Sequence, residues 1–106
     1  MKKPEPISKK EDTKLSERFR IAETETFSKL IAQNNNLSRI YKKITDYVYP
    51  ILRQNPFFGP NIKRLKGELS AYHRYRIGDY RLFYKVDNEQ VIVFIIDLVP
   101  RKSAYK

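Results

Sequence analysis

Cysteine is absent from all 106 residues, and histidine occurs only once. The chain can therefore form no disulfide, no cysteine-based zinc site and no thiol nucleophile, and it has no pair of histidines for acid/base exchange. Long apolar stretches are missing too, because the longest run, Val91–Ile96, has six residues and is far too short to span a membrane. The charged N-terminus lacks the apolar segment of a signal peptide, so we expect a cytoplasmic protein. Nothing in the composition indicates a metal or a cofactor.

What the chain does contain is enough apolar side chain for one small core. Hydrophobic residues make up 41% of the chain and aromatic residues 13%, which suits a single domain of this length. Residues 1–15 differ from the rest, since they combine two prolines and mixed charge with almost no apolar content. We expect residues 1–15 to be a flexible basic extension and residues 16–106 to form one domain.

Positive charge is in clear excess and is unevenly placed. Lys and Arg number 22 against 12 Asp and Glu, which gives a formal net charge of +10. Residues 53–85 hold eight basic and two acidic side chains. Such a segment indicates an anionic partner, such as nucleic acid, a membrane surface or an acidic protein. The alternative is a solvated basic surface that only keeps the protein soluble.

The first half of the domain indicates a short strand followed by two helices. Residues 16–23 alternate enough for a strand, and Thr24 is a plausible N-cap for a helix that the Asn34–Asn36 run ends. A second helix follows, because apolar residues recur at spacings of three and four. These residues are Leu37, Ile40, Tyr41, Ile44, Tyr47, Val48, Ile51 and Leu52. Pro50 lies inside this pattern and should kink or shorten the last turn.

The second half reads as an antiparallel meander. From Leu69 onward the apolar period becomes two, and Gly78-Asp79 separates strands over residues 72–77 and 80–86. A turn at Asp87-Asn88 leads into residues 90–99, an almost unbroken apolar run typical of a central strand covered on both faces. The predicted fold class is therefore α+β, with an N-terminal strand, an α-hairpin and a three-stranded β-meander.

The hairpin turn also predicts which side chains share a face. A two-residue turn pairs Ile77 with Tyr80, Arg76 with Arg81, and Arg74 with Phe83. Tyr75, Ile77, Tyr80, Leu82 and Tyr84 then face the helices, while Arg74, Arg76, Arg81, Phe83 and Lys85 lie on the other face. Like charges paired across strands are destabilising. An anionic ligand would offset that cost, and phosphate suits arginine best.

Two segments carry a resemblance to a known family. They read LKG…YHRYRIGDYRLFYKV over residues 65–86 and VIVFIIDLVPRKSAY over residues 91–105. This pattern resembles the RelE/ParE superfamily of bacterial toxins from type II toxin–antitoxin pairs, and the resemblance extends over roughly residues 17–106. It implies a microbial-ribonuclease-like sheet and a cognate antitoxin, expected to bring an acidic, partly disordered segment. It also implies one of two activities, since RelE-like members cut mRNA on the ribosome and ParE-like members poison DNA gyrase.

The resemblance assigns roles to individual positions. Arg81 matches the arginine that RelE-like toxins place against the scissile phosphate, Arg101 matches their second arginine, and Tyr105 matches a tail tyrosine that orients or activates the nucleophile. The RNA-binding positions are Lys63, Lys66, Arg74, Arg76 and Lys85, and the possible acid/base groups are Lys63, Lys66 and His73.

Two positions depart from the family pattern. Pro100 precedes the tail arginine where many relatives have His or Lys, and residues 61–64 contain no Glu. The resemblance therefore transfers no His-based or Glu-based scheme. We interpret the chain as a ribosome-dependent mRNA endoribonuclease that acts by metal-free 2′-hydroxyl attack, without a membrane partner. The alternatives are a ParE-like gyrase inhibitor and a catalytically silent basic module.

Overall fold

The computed structural model describes residues 18–104. The expected extension over residues 1–15 and the tail residue Tyr105 lie outside the described residues. The strands are β1 (Arg20–Glu23), β2 (Ile62–Arg64), β3 (Tyr72–Ile77), β4 (Tyr80–Asp87) and β5 (Ile92–Pro100). The helices are α1 (Glu25–Gln33), α2 (Ser38–Lys43), α3 (Tyr49–Gln54) and α4 (Arg101–Ala104), with 3-10 turns at Asn35–Leu37 and Gly67–Leu69 and a π-helical turn at Ile44–Val48. This order confirms the α+β class.

Thr24 begins α1, as its sequence position predicts. Its Oγ1 accepts a hydrogen bond from the Phe27 N–H at 3.3 Å and donates one to the Ile95 carbonyl at 2.7 Å. The first bond caps the helix, since an N-cap oxygen satisfies an amide that has no partner within the helix. The second ties the start of α1 to β5.

The second helical stretch is continuous from α2 through the π-helical turn to α3. The Tyr49 N–H donates to the Ile44 carbonyl, five residues back, and the helix then continues through Pro50 to Gln54. A proline lacks the N–H that an α-helix needs and crowds the carbonyl four residues before it. The wider π turn lies directly before Pro50, so the helix runs on where we expected a kink or an early end.

Five strands form a mixed sheet in the order β1-β5-β4-β3-β2. The predicted hairpin register is confirmed, with Ile77 opposite Tyr80, Arg76 opposite Arg81 and Arg74 opposite Phe83. Gly78 closes the turn at φ 58°, a conformation that glycine adopts without steric cost. The sequence did not predict β2, which pairs antiparallel with β3, or the parallel pairing of β1 with β5.

The core lies between the helices and one face of the sheet. From the sheet, Leu82, Tyr84, Val93, Ile95 and Leu98 are buried, and they form one cluster with buried residues of the helices. The expectation that β5 is covered on both faces is wrong, because Phe94 and Ile96 on its other face are partly exposed. Within residues 18–104, no layer of helices covers that second face.

Buried and half-buried phenols connect the layers. The Glu23 carboxylate accepts hydrogen bonds from the hydroxyls of Tyr41 and Tyr49, both at 2.8 Å, and so joins the end of β1 to the helical stretch. The hydroxyl of the buried Tyr84 donates to the Pro56 carbonyl at 2.7 Å, which fixes the loop after α3. None of the helices in the described part of the chain is long and apolar enough to cross a membrane.

Candidate functional site

A cleft of about 580 Å³ opens where the β3–β4 turn meets the helical stretch. Arg76, Arg81 and Arg101 line it from β3, β4 and the start of α4, and Lys43 lines it from the end of α2. Among the described residues, Asp79 is the one acidic residue in the lining. The structure therefore brings three of the sequence-predicted cations into a single strongly positive site, which suits a phosphate ligand.

Arg81 is held firmly in the wall of this cleft. The residue is only 3% exposed. Its Nη1 donates to the carbonyl oxygens of Gly78 at 3.1 Å and Tyr80 at 2.9 Å. Both bonds come from this one nitrogen, and they fix the guanidinium at the hairpin turn.

Arg101 reaches the same cleft because β5 passes directly into α4. Its backbone N–H donates to the Asp79 carbonyl at 2.8 Å, which pins the start of α4 to the hairpin turn. Its side chain is exposed, as is that of Arg76. These two guanidinium groups are therefore accessible to a ligand, whereas that of Arg81 is enclosed.

The remaining predicted RNA-binding residues lie outside the cleft. Lys63 is exposed on β2 and stands opposite Arg74 on β3, and Lys66 is exposed in the following loop. Lys85 is exposed near the other end of the hairpin, with its Nζ 5.4 Å from the centre of the Tyr72 ring. They extend the positive surface along β2, β3 and β4 away from the cleft.

His73 also lies away from the cleft, on the helix-covered face. Its ring stacks on Tyr84 with centroids 5.4 Å apart and meets the edge of Phe57 at 5.9 Å. Burial, and after it the charge of Arg64, lowers the pKa of His73 from its ordinary value. The imidazole is therefore neutral at neutral pH. Tyr105, the third predicted catalytic residue, lies outside the described residues.

Lys43 and Tyr47 are cleft residues that the sequence did not single out. The periodic pattern assigned Tyr47 to the buried stripe, but it is 68% exposed and lines the cleft. The π turn that contains it departs from the 3.6-residue period on which that assignment depends. Pro50, three residues later, was the only signal of this change. No group of three or more potential metal-ligating side chains occurs within residues 18–104.

A family model described as ParE toxin of type II toxin-antitoxin system, parDE, matches residues 21–105. No curated protein sequence gives a significant match.

Solved structures give matches over most of the chain. The RelBE2 toxin–antitoxin complex from Mycobacterium tuberculosis is similar with a TM-score of 0.66 and 25% identity, covering 79% of this chain and 99% of that one. The RelB–RelE antitoxin–toxin complex from Methanococcus jannaschii has a TM-score of 0.60 and 25% identity, covering 79% and 94%. The YoeB dimer from Staphylococcus aureus has a TM-score of 0.56 and 25% identity, covering 77% and 95%.

Proposed function

We propose that this chain, which belongs to the ParE toxin family of type II toxin–antitoxin systems, is a ribosome-dependent mRNA endoribonuclease. The observation that carries this proposal is the cleft in which Arg76, Arg81 and Arg101 meet. Three guanidinium groups at one cleft can stabilise a phosphate whose negative charge grows during the reaction. The activity requires ribosomes and therefore a cytoplasmic location.

The chemistry we propose is an internal transfer within the RNA. The 2′-hydroxyl oxygen attacks the adjacent phosphorus, and the bond from phosphorus to the 5′ oxygen breaks. A proton leaves the 2′-hydroxyl and another reaches the 5′ oxygen, so the products are a 2′,3′-cyclic phosphate and a 5′-hydroxyl. Negative charge accumulates on the phosphoryl oxygens, and fixed donors that meet this charge usually make the largest catalytic contribution.

The exposure of each side chain indicates which part of the reaction it can serve. Arg101 and Arg76 are exposed and would contact the scissile phosphate directly, while Arg81 is already fixed beside them by two carbonyl oxygens. Lys63, Lys66, Arg74 and Lys85 would contact phosphates farther along the strand. We assign proton transfer to Tyr105 on its family position, and Tyr47 supplies a second phenol at the cleft.

The cognate antitoxin is the second proposed partner. Neighbouring solved structures are toxin–antitoxin complexes. The excess of cations at the cleft would attract an acidic segment that is disordered when free and folds on binding. Such a segment would compete with RNA for the same arginine side chains.

A matched pair of variants tests the nuclease proposal. We expect Arg101→Ala to lower the rate of mRNA cleavage about 10²–10³-fold, which is the usual effect of removing one transition-state donor. Lys102→Ala removes the same charge one residue later from a side chain that does not line the cleft. It should change the rate less than threefold.

The measurement is the mapping of new mRNA 5′ ends in a cell-free translation reaction. Cuts at the ribosomal A site that are absent without ribosomes and absent with Arg101→Ala would support the proposal. Equal loss of cleavage in Arg101→Ala and Lys102→Ala would mean that only overall charge matters, which would contradict the role of the cleft.

A gyrase inhibitor is the second candidate, favoured by one observation. Tyr47 and Ile51 are large apolar side chains four residues apart on the helical stretch, and both are exposed. Two exposed apolar rings or chains this close together on a helical stretch could contact a protein target. Intact mRNA together with inhibited DNA supercoiling, relieved by Ile51→Ala, would replace the nuclease proposal with this one.

A further inference from the structure

We propose that a second pocket, centred on Phe58, Arg64 and His73, binds a nucleobase and its phosphate from the same RNA strand that occupies the arginine cleft. The pocket has a volume of about 500 Å³ and lies at the β2 edge, under the loop that follows α3. It shares no lining residue with the cleft. The choice of RNA as ligand rests on the proposed function.

Two phenylalanines give this pocket its aromatic wall. Phe58 is 79% exposed, whereas the neighbouring Phe57 is held edge-on against Phe19, with centroids 5.8 Å apart. The loop itself is fixed, because Asn55 Oδ1 accepts hydrogen bonds from both the Phe57 and the Phe58 N–H. Phe58 is therefore an exposed ring on an ordered loop. Single-stranded RNA is commonly bound by bases that stack on such rings.

The charge of the pocket matches a phosphate. Arg64 and Lys85 line it, and no carboxylate does. Arg64 is oriented by a hydrogen bond from its Nε to the Ser70 carbonyl at 3.1 Å. A base stacked on Phe58 would therefore carry its phosphate toward Arg64, and Lys85, whose Nζ lies over the Tyr72 ring, adds positive charge nearby.

The buried imidazole of His73 is a second feature that indicates a ligand. The residue is 8% exposed, and its Nδ1 is buried without a hydrogen-bond partner among the described residues. Buried polar atoms are rarely left in this state, and a base in the pocket would complete this one when the imidazole ring turns toward it. A nucleobase carries both donors and acceptors at its edge, whereas a carboxylate carries only acceptors. A neutral imidazole in the wall therefore favours a base over an acidic peptide.

The two sites lie toward opposite ends of the β3–β4 hairpin. Arg81 of the cleft and Lys85 of the pocket are four residues apart on β4, which corresponds to about 13 Å. An RNA strand with one phosphate at the cleft can therefore place a flanking base in the pocket within a few nucleotides. The pocket would thus hold the strand rather than cleave it.

Direct RNA binding tests this inference without ribosomes. Fluorescence anisotropy would measure the affinity of the full chain for a labelled ten-nucleotide single-stranded RNA. We expect Phe58→Ala to weaken binding about 10-fold, consistent with the loss of one stacked base. Arg64→Ala should weaken it by a similar factor and reduce the salt dependence. Leu69→Ala and Arg39→Ala are the matched controls, because both residues are exposed and neither lines the pocket or the cleft.

Two further measurements decide between the possible occupants. The ¹⁵N NMR signal of His73 should shift on adding RNA to the parent chain and should not shift with the Phe58→Ala variant. Thermal unfolding would establish that Phe58→Ala keeps its fold. Unchanged RNA affinity in a folded Phe58→Ala chain would overturn the inference. So would an acidic peptide that binds the pocket more tightly than RNA, because the occupant would then be a protein segment.

The outcomes also separate this inference from the proposed function. If mRNA is cleaved on ribosomes but Phe58→Ala binds RNA like the parent, only the second pocket is refuted. If Phe58 and Arg64 contribute to RNA binding but no mRNA is cut, the pocket is supported and the nuclease proposal is refuted.

Discussion

Arg81 and Arg101 face the same cleft with different freedom of movement. The Arg81 guanidinium is enclosed and donates to two carbonyl oxygens of its own turn, while the Arg101 side chain is exposed and only its backbone N–H is committed to Asp79. Arg81 is therefore placed before any ligand arrives. Arg101 can adjust its side chain to a phosphate.

This difference predicts unequal effects of replacing each arginine by lysine. Arg81→Lys keeps the charge, but the shorter lysine side chain ends before the Nη1 position that reaches both carbonyl oxygens, so we expect the proposed mRNA cleavage to fall about 100-fold. We also expect the free energy of unfolding to fall by about 1–3 kcal/mol, because two part-buried hydrogen bonds are weakened or lost. Arg101→Lys keeps an exposed cation and should lower cleavage only about 10-fold. Cleavage assays and urea unfolding of both variants are the measurements, and equal losses would show that Arg81 is not preorganised by its turn.

At the scale of elements, one hydroxyl connects the N-terminal strand and helix to the centre of the sheet. Thr24 caps α1 through the Phe27 N–H and donates to the Ile95 carbonyl of β5. We expect Thr24→Ala to lower the free energy of unfolding by about 2 kcal/mol, since both bonds are lost.

Thr24→Ser provides the control for this prediction. It keeps the hydroxyl and should recover more than half of the lost free energy in urea unfolding. If serine behaves like alanine, the contribution of Thr24 comes from its methyl group and not from the two hydrogen bonds.

Some strands and strand pairings could be predicted from the sequence and others could not. The register of the β3–β4 hairpin was predictable because Gly78-Asp79 fixes the turn and period-two alternation fixes which residues pair. β2 was not predictable, because three residues are too few to show a period. The parallel partner of β1 was not predictable either, since pairing between distant strands leaves no local pattern.

The candidate site was predictable only in part for related reasons. The positions of Arg76 and Arg81 follow from the hairpin register. The exposure of Tyr47 follows from a π turn that interrupts the helical period, and the enclosure of Arg81 depends on tertiary packing around the turn. Periodicity describes single elements, so a cleft built from a helix, a hairpin and a tail appears only in three dimensions.

At the scale of the whole molecule, the raised pKa values of the tyrosines that connect the helices, loop and sheet predict a lower free energy of unfolding at alkaline pH. Burial, followed by the hydrogen bond to Glu23, raises the pKa of Tyr41 to about 12, and the same causes raise the pKa of Tyr49 further. Burial also raises the pKa of Tyr84. The unfolded chain releases these protons near pH 10. Above pH 10 the folded chain therefore binds more protons than the unfolded chain. The free energy of unfolding has its full value below pH 10 and falls as the pH rises toward 12.

Urea unfolding at pH 9, 10 and 11 measures this dependence. Tyr49→Phe should start from a lower free energy of unfolding at pH 9, because its bond to Glu23 is lost. It should then decline less steeply than the parent chain, because one raised pKa has been removed. Parallel slopes for the two proteins would refute the assignment to Tyr49.

The parallel pairing of β1 with β5 has a consequence for the order in which the protein can form during synthesis. Thr24 and its partner Ile95 are 71 residues apart, so the first strand emerges long before the strand that it needs. Closing so long a loop is slow because its entropy cost comes before any contact is gained. Arg101 follows β5 in the chain, and its position in the cleft depends on that strand. A nascent chain would therefore complete its core and its arginine cleft together, and only after β5 and the residues that follow it have been synthesised.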